Sequence, residues 1–183
     1  MCTTDQRGFS LIELLVFIVV VGIAVTGVLS VYSLNARSSA DPMVQKQALA
    51  IAESLIEEVL GQSYTYCYPD DANVETAQNS SQCATPPVVW PQPGTSPYSN
   101  TQPYDSVLDY DGFNMPAPPG IKDLSGMPIA GLGGYSALVQ VKPAGAFNGI
   151  PAGETLIVTV TVNGPGNQSV TLSSYRTRYA PNF

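Results

Sequence analysis

Histidine is absent from the chain. That removes Ser-His-Asp and Cys-His nucleophilic catalysis together with the commonest transition-metal ligand. Basic residues are scarce as well: seven Lys and Arg stand against fourteen Asp and Glu, and nowhere do they cluster. A phosphate backbone would be repelled rather than held, which excludes nucleic-acid binding. Charge of either sign is thin, at 11% of 183 residues. A chain of this length holds one soluble body plus an anchor, and hardly two full cores. Cysteine is limited to Cys2, Cys67 and Cys83.

What the sequence has in plenty is local apolarity. From Leu14 to Val31 the run "LLVFIVVVGIAVTGVLSV" is interrupted by no charge, Thr26 and Ser30 being its polar positions. Such a run predicts a membrane-spanning helix over about residues 9–31. At its head sits Glu13. An acidic side chain in hydrocarbon costs roughly 3 kcal/mol on insertion scales, so it marks a place where a partner is expected. Ahead of the run, residues 1–8 form a short polar leader with Arg7, and Arg37 stands on the far side. The two cations cancel as a topology signal.

Beyond the run, Val44, Ala48, Ile51, Ala52, Leu55, Ile56 and Val59 recur at spacings of three and four. They predict an amphipathic helix from Pro42 to Leu60, with Asp41 as N-cap, Gly61 as stop and a bend or short break over Ser38–Asp41. Residues 64–128 turn to Pro, Ser, Asn, Gln and Tyr. An irregular excursion is expected there, its tyrosines and Trp90 giving it something to bury. The period then becomes two. Tyr135, Ala137, Val139 and Val141 share one face of a strand, Leu156, Val158, Val160 and Val162 one face of the next, and a third strand follows the turn "NGPGN" from about Ser169. The fold class predicted is α+β, a long N-terminal helix, transmembrane in one half and amphipathic in the other, packed on a small antiparallel sheet over residues 135–179.

In an exported body, Cys67 and Cys83 are the natural disulfide pair, since both lie beyond the span. Closing that loop adds about 3 kcal/mol by chain entropy. The alternative is two free thiols.

"GFSLIELL", Gly8 to Leu15, followed by the apolar run, resembles the start of type IV prepilins and of type II secretion pseudopilins. The resemblance implies cleavage by a prepilin peptidase between Gly8 and Phe9 and methylation of the new amine of Phe9. It also implies pairing of Glu13 with the amine of a neighbouring subunit during assembly. An ammonium and a carboxylate neutralise each other where the dielectric is low, and one compensated pair gives direction to otherwise undirected apolar rods. Longer stretches, among them Ser39–Val59, Leu108–Met115, Ile129–Val141 and Val158–Asn182, are similar to minor pilins of the mannose-sensitive haemagglutinin (MSHA) system, of the MshD type. The implied protein is a non-enzymatic minor pilin without cofactor, with a pilin-like fold. Its implied parts are a leader (1–8), an assembly helix (9–60) and a headgroup (61–183). Its implied partners are other pilins, the prepilin peptidase and the inner-membrane assembly platform. It would reside in the bacterial inner membrane as a single-pass protein with a periplasmic C-terminus, and afterwards in a surface pilus that serves adhesion. A type II secretion pseudopilin and a membrane-anchored exported binding module are the rival readings.

Three further constellations bear on chemistry. Asp105, Asp109 and Asp111 beside Gly112 form an acidic loop, without the glutamate-terminated pattern of a calcium loop; a solvated turn is the plainer reading, and no metal site is assigned. Glu53, Glu57 and Glu58 fit a wet helix stripe. Arg176 and Arg178 share one side of the last strand, facing either a neighbouring subunit's acids, such as Glu57 or Glu58, or groups of their own chain.

Overall fold

The computed structural model describes residues 10–178, with the backbone alone for residues 34–41. Helix α1 (Leu11–Leu60) is followed by strands β1 (Asn114–Met115), β2 (Ser136–Pro143), β3 (Thr155–Gly164) and β4 (Gln168–Thr177). Short 3-10 turns occur at Ser80–Gln82, Val107–Tyr110 and Pro165–Asn167. The chain divides into two compact units after Met43.

α1 corrects one expectation. No break occurs at Ser38–Asp41: the helix is continuous, Asp41 lies within it instead of capping a second one, and Pro42 is inside it. An interior proline removes one i→i−4 hydrogen bond at a cost of about 3 kcal/mol. The turns after it are rich in Ala, Leu, Gln, Lys and Glu, and one face of them is buried. Propensity and packing together outweigh the lost bond.

In the first unit, Leu11–Ser33 is the helix segment long and apolar enough to cross a membrane, 23 residues with none buried. At about 1.5 Å per residue it rises some 35 Å, enough for a ~30 Å hydrocarbon layer. Its serine and threonine hydroxyls are satisfied within the helix: Thr26 Oγ1 donates to the Ile23 carbonyl at 2.8 Å, Ser30 Oγ to that of Thr26 at 2.9 Å and Ser33 Oγ to that of Ser30 at 2.8 Å. A hydrocarbon surrounding requires that economy.

In the second unit the sheet is a meander in the order β1-β2-β3-β4, antiparallel throughout. Val139 stands opposite Val160, and Val160 opposite Leu172. The period of two puts Ala137, Val139 and Val141 with Leu156, Val158, Val160 and Val162 on the inner face. Val44, Ala48, Ile51, Ala52, Leu55, Ile56 and Val59 of α1 join them in one core. Tyr135 and Tyr110 fasten this part of α1 by hydrogen bonds, the first donating to Gln47 Oε1 at 2.8 Å and the second to Glu58 Oε1 at 2.7 Å. Contact is close at Gly164, where an added Cβ would stand 2.8 Å from Val44 Cγ1 and 2.9 Å from the Tyr135 ring. "NGPGN" continues β3 to Gly164 and turns through Pro165–Asn167, with Gly166 (φ 74°) and Asn167 (φ 59°) in the left-handed region.

Because Val160 is fully buried and Thr159 points to the other face, Val160→Ala is expected to lower unfolding free energy by about 2 kcal/mol. Thr159→Ala is expected to cost under about 1 kcal/mol. Urea unfolding of the full chain in non-ionic detergent measures both.

Candidate functional site

Glu13 lies in the first turn of α1, its backbone N–H donating to the Ser10 carbonyl at 3.0 Å. The side chains around it are uncovered, with Leu11 80%, Ile12 70% and Phe17 65% exposed. Among the described residues no cation faces its carboxylate. A charge on so apolar a helix is costly to bury without an opposite charge beside it. Gly8 and Phe9, the predicted cleavage and methylation residues, lie outside the described residues, as do Cys2, Arg7 and the end of the predicted sheet at Tyr179.

Cys67 and Cys83 form the disulfide, with Cα atoms 5.4 Å apart. Together with Ala77 they make a small second core, against which Tyr66 and Val74 pack. The loop they close is held from inside by Asp71. Its Oδ1 accepts the N–H groups of Asn73 at 2.8 Å and Ala84 at 3.0 Å, and its Oδ2 that of Thr85 at 2.7 Å. These bonds, the one from Asn73 foremost and that from Thr85 next, hold its carboxyl below the usual carboxylate range. Sequence reasoning passed over Asp71 because its donors Ala84 and Thr85 are far along the chain.

The three aspartates weighed as a calcium loop do separate work. Asp109 is buried and accepts the N–H groups of Gln92 at 2.9 Å, Ser106 at 3.1 Å and Asp105 at 3.3 Å, so it both caps the Val107–Tyr110 turn and anchors the Pro-rich loop. Asp111 pairs with Lys142 Nζ at 2.8 Å and accepts the Val141 N–H at 2.9 Å. Burial, then the charges of Asp109 and Asp70, push the Asp105 carboxyl up. Among the described residues no group of three His, Cys, Asp or Glu side chains is placed to hold a metal ion. The solvated-turn reading is corrected at Asp109, which is 1% exposed because three amides replace its water.

Glu53 and Glu57 lie on the exposed side of α1, whereas Glu58 turns inward to Tyr110. Burial first and that bond second raise the Tyr110 hydroxyl well above its ordinary range. Arg176 and Arg178 serve their own chain. Arg176 Nη2 donates to the Gln62 carbonyl at 3.0 Å, just past the end of α1, where a cation suits the helix dipole. The Arg178 guanidinium lies 4.0 Å from the Tyr64 ring and 4.1 Å from the Tyr66 ring, and pairs with Glu154 Oε2 at 3.0 Å. This stack fixes the entry to the disulfide loop.

Residues 3–29 match the family model described as the prokaryotic N-terminal methylation motif. No curated protein and no solved structure matches the chain. The matched stretch carries Gly8, Phe9, Glu13 and most of the exposed apolar helix. It supports a type IV pilin-like or pseudopilin protein, anchored by this helix, processed by a prepilin peptidase and assembled with other pilins. It points to a structural subunit instead of an enzyme.

Reduction of Cys67–Cys83 is expected to lower unfolding free energy by about 3 kcal/mol, measured by urea unfolding with and without reductant. The depressed folded value of Asp71 has a defined sign. Its contribution is present above the ordinary carboxylate value and lost as pH falls through the lower, folded one. Acidification below about pH 4 is therefore expected to lower the protection of the Ala84 and Thr85 amides against exchange, relative to the intrinsic rate at the same pH. Asp71→Ala is expected to show that loss of protection already at pH 7, read by hydrogen-exchange mass spectrometry.

Proposed function

We propose that the chain is a minor type IV pilin, a structural subunit that starts, caps or decorates a fibre of MSHA type on a bacterial surface. The observation that carries this reading is the methylation motif leading into an apolar helix whose Leu11–Ser33 stretch is uncovered and bears one carboxylate. In this account a prepilin peptidase cuts after Gly8 and methylates the amine of Phe9. Residues 9–60 then form the assembly helix, and residues 61–183 form a headgroup that is periplasmic before assembly and on the pilus afterwards. Glu13 receives the ammonium of a neighbouring subunit, so that the two charges leave water together. The assembly platform of the inner membrane draws the subunit out, and the headgroup serves surface attachment.

The same helix and motif suit a pseudopilin of a type II secretion system, which enters a short fibre that pushes exported proteins. Which fibre contains the chain separates the two readings.

Intact mass of the protein produced with prepilin peptidase is expected to correspond to a chain beginning at N-methylated Phe9, and without the peptidase to the full precursor. A single unprocessed species in both cases would overturn the reading. Glu13→Ala is expected to leave the amount in the membrane unchanged and to lower incorporation into sheared MSHA-type pili by at least about tenfold, as for a buried pair that loses one member. Recovery with secretion pseudopili instead would favour the second reading.

A further inference from the structure

A surface cavity of about 450 Å³ opens beside the disulfide loop, between the Tyr68–Ala72 segment and the Ala84–Pro93 segment. Its lining is mixed: Pro86, Val88 and Val89 give it an aliphatic side, with Val88 92% exposed and Val89 52% exposed, and Asp70, Asp71, Thr85 and Gln92 give it a polar one. Its charged lining consists of two carboxylates, Asp70 and Asp71, without a lysine or arginine. Asp71 is saturated by backbone N–H groups, yet keeps its negative charge. Asp70 is exposed, and Gln92 Nε2 donates to its Oδ1 at 2.9 Å, which fixes the carboxylate at the rim. The Asp70 charge is also one of those that raise Asp105.

The cavity is held open. Tyr68 is buried, its hydroxyl donates to the Val89 carbonyl at 2.8 Å, and its ring meets Trp90 edge-on at 4.9 Å. With the disulfide below and the Asp71 clamp between the two segments, little ordering is left for a ligand to impose. An anion is repelled here, and a purely apolar ligand leaves the Asp70 charge to be desolvated without compensation. A group with an aliphatic stem and a cationic head satisfies both parts, and in a protein that description fits lysine and arginine.

We propose that this cavity receives a lysine or arginine side chain of a partner protein, its stem lying along Val88 and Val89 and its charged head meeting Asp70. The proposal is independent of which fibre contains the chain, because it rests on the headgroup alone. It makes the disulfide loop a recognition surface for basic segments.

The test uses the full chain in non-ionic detergent and the fluorescence of Trp90, its single tryptophan. Acetyl-Gly-Lys-Gly-amide is titrated as the probe, beside the same peptide with norleucine or glutamate in place of lysine. A saturable change with the lysine peptide alone is expected, weakened about fivefold by Asp70→Asn, as for loss of a partly desolvated ion pair. Val88→Ser, which leaves the charge in place, is expected to weaken it as well, so the result does not hang on one variant. Equal saturation by the norleucine peptide, binding that ignores both substitutions, or the absence of any saturable change with lysine would each overturn the proposal.

Discussion

Apolar surface has to leave water, and α1 meets that requirement in two ways along its length. From Val44 to Val59 one apolar face of it is closed over by the sheet and its loops, with Ala48, Ala52 and Val59 fully buried. From Leu11 to Ser33 none of it is buried among the described residues. At roughly 25 cal/mol per Å² the uncovered stretch carries a larger driving force than the whole net stability of a small domain, and it has to be spent on lipid or on other helices. Glu13 takes its meaning from this constraint. In water it would be an ordinary surface acid; in lipid or against other helices its charge is costly to desolvate.

The long middle of the chain solves a different difficulty. Between Gln62 and Asn114 it has almost no ladder to satisfy its amides, and its small core holds little beyond the disulfide and Ala77. Carboxylates stand in for the missing ladders. Asp71 gathers Asn73, Ala84 and Thr85, and Asp109 gathers Gln92, Asp105 and Ser106. Each bond is charge-assisted, hence about twice as strong as a neutral one, and each aspartate joins stretches far apart in sequence. The Arg178 stack between Tyr64 and Tyr66 does the same at the entry to the loop.

Periodic features were legible in the sequence, and features that depend on distant partners were not. Spacings of three and four placed every buried residue of α1 from Val44 to Val59, and alternation placed both inner strands with their faces correct. β1 has two residues and exists only through pairing of Asn114 and Met115 with Leu138 and Ala137, so no local pattern announces it. Pro42 misled in the opposite direction: a strong local signal for a helix start was overridden by the helix on both sides of it. At the site, the position of Cys67 and Cys83 beyond the span suggested their pairing but left two free thiols open, and the 5.4 Å Cα separation decides for the bridge. The inward turn of Asp109 and Glu58 was hidden, because an acid on a turn or a helix looks solvated until its donors are known.

The way the acids are satisfied also determines what the headgroup can meet. Two carboxylates, Asp111 and Glu154, are paired with cations of their own chain, whereas Asp71 and Asp109 are held by amides and Glu58 by a phenol. Amide and hydroxyl donors stabilise a carboxylate without cancelling its charge. A chain with half as many basic as acidic residues therefore folds fully hydrogen-bonded at those positions and still presents a negative field. Two such headgroups brought side by side repel, and the repulsion grows as surfaces dehydrate on contact. Close approach to this headgroup thus favours a surface that brings cations to it over a second copy of itself, because amide donors leave its carboxylates charged while they hold the loops together.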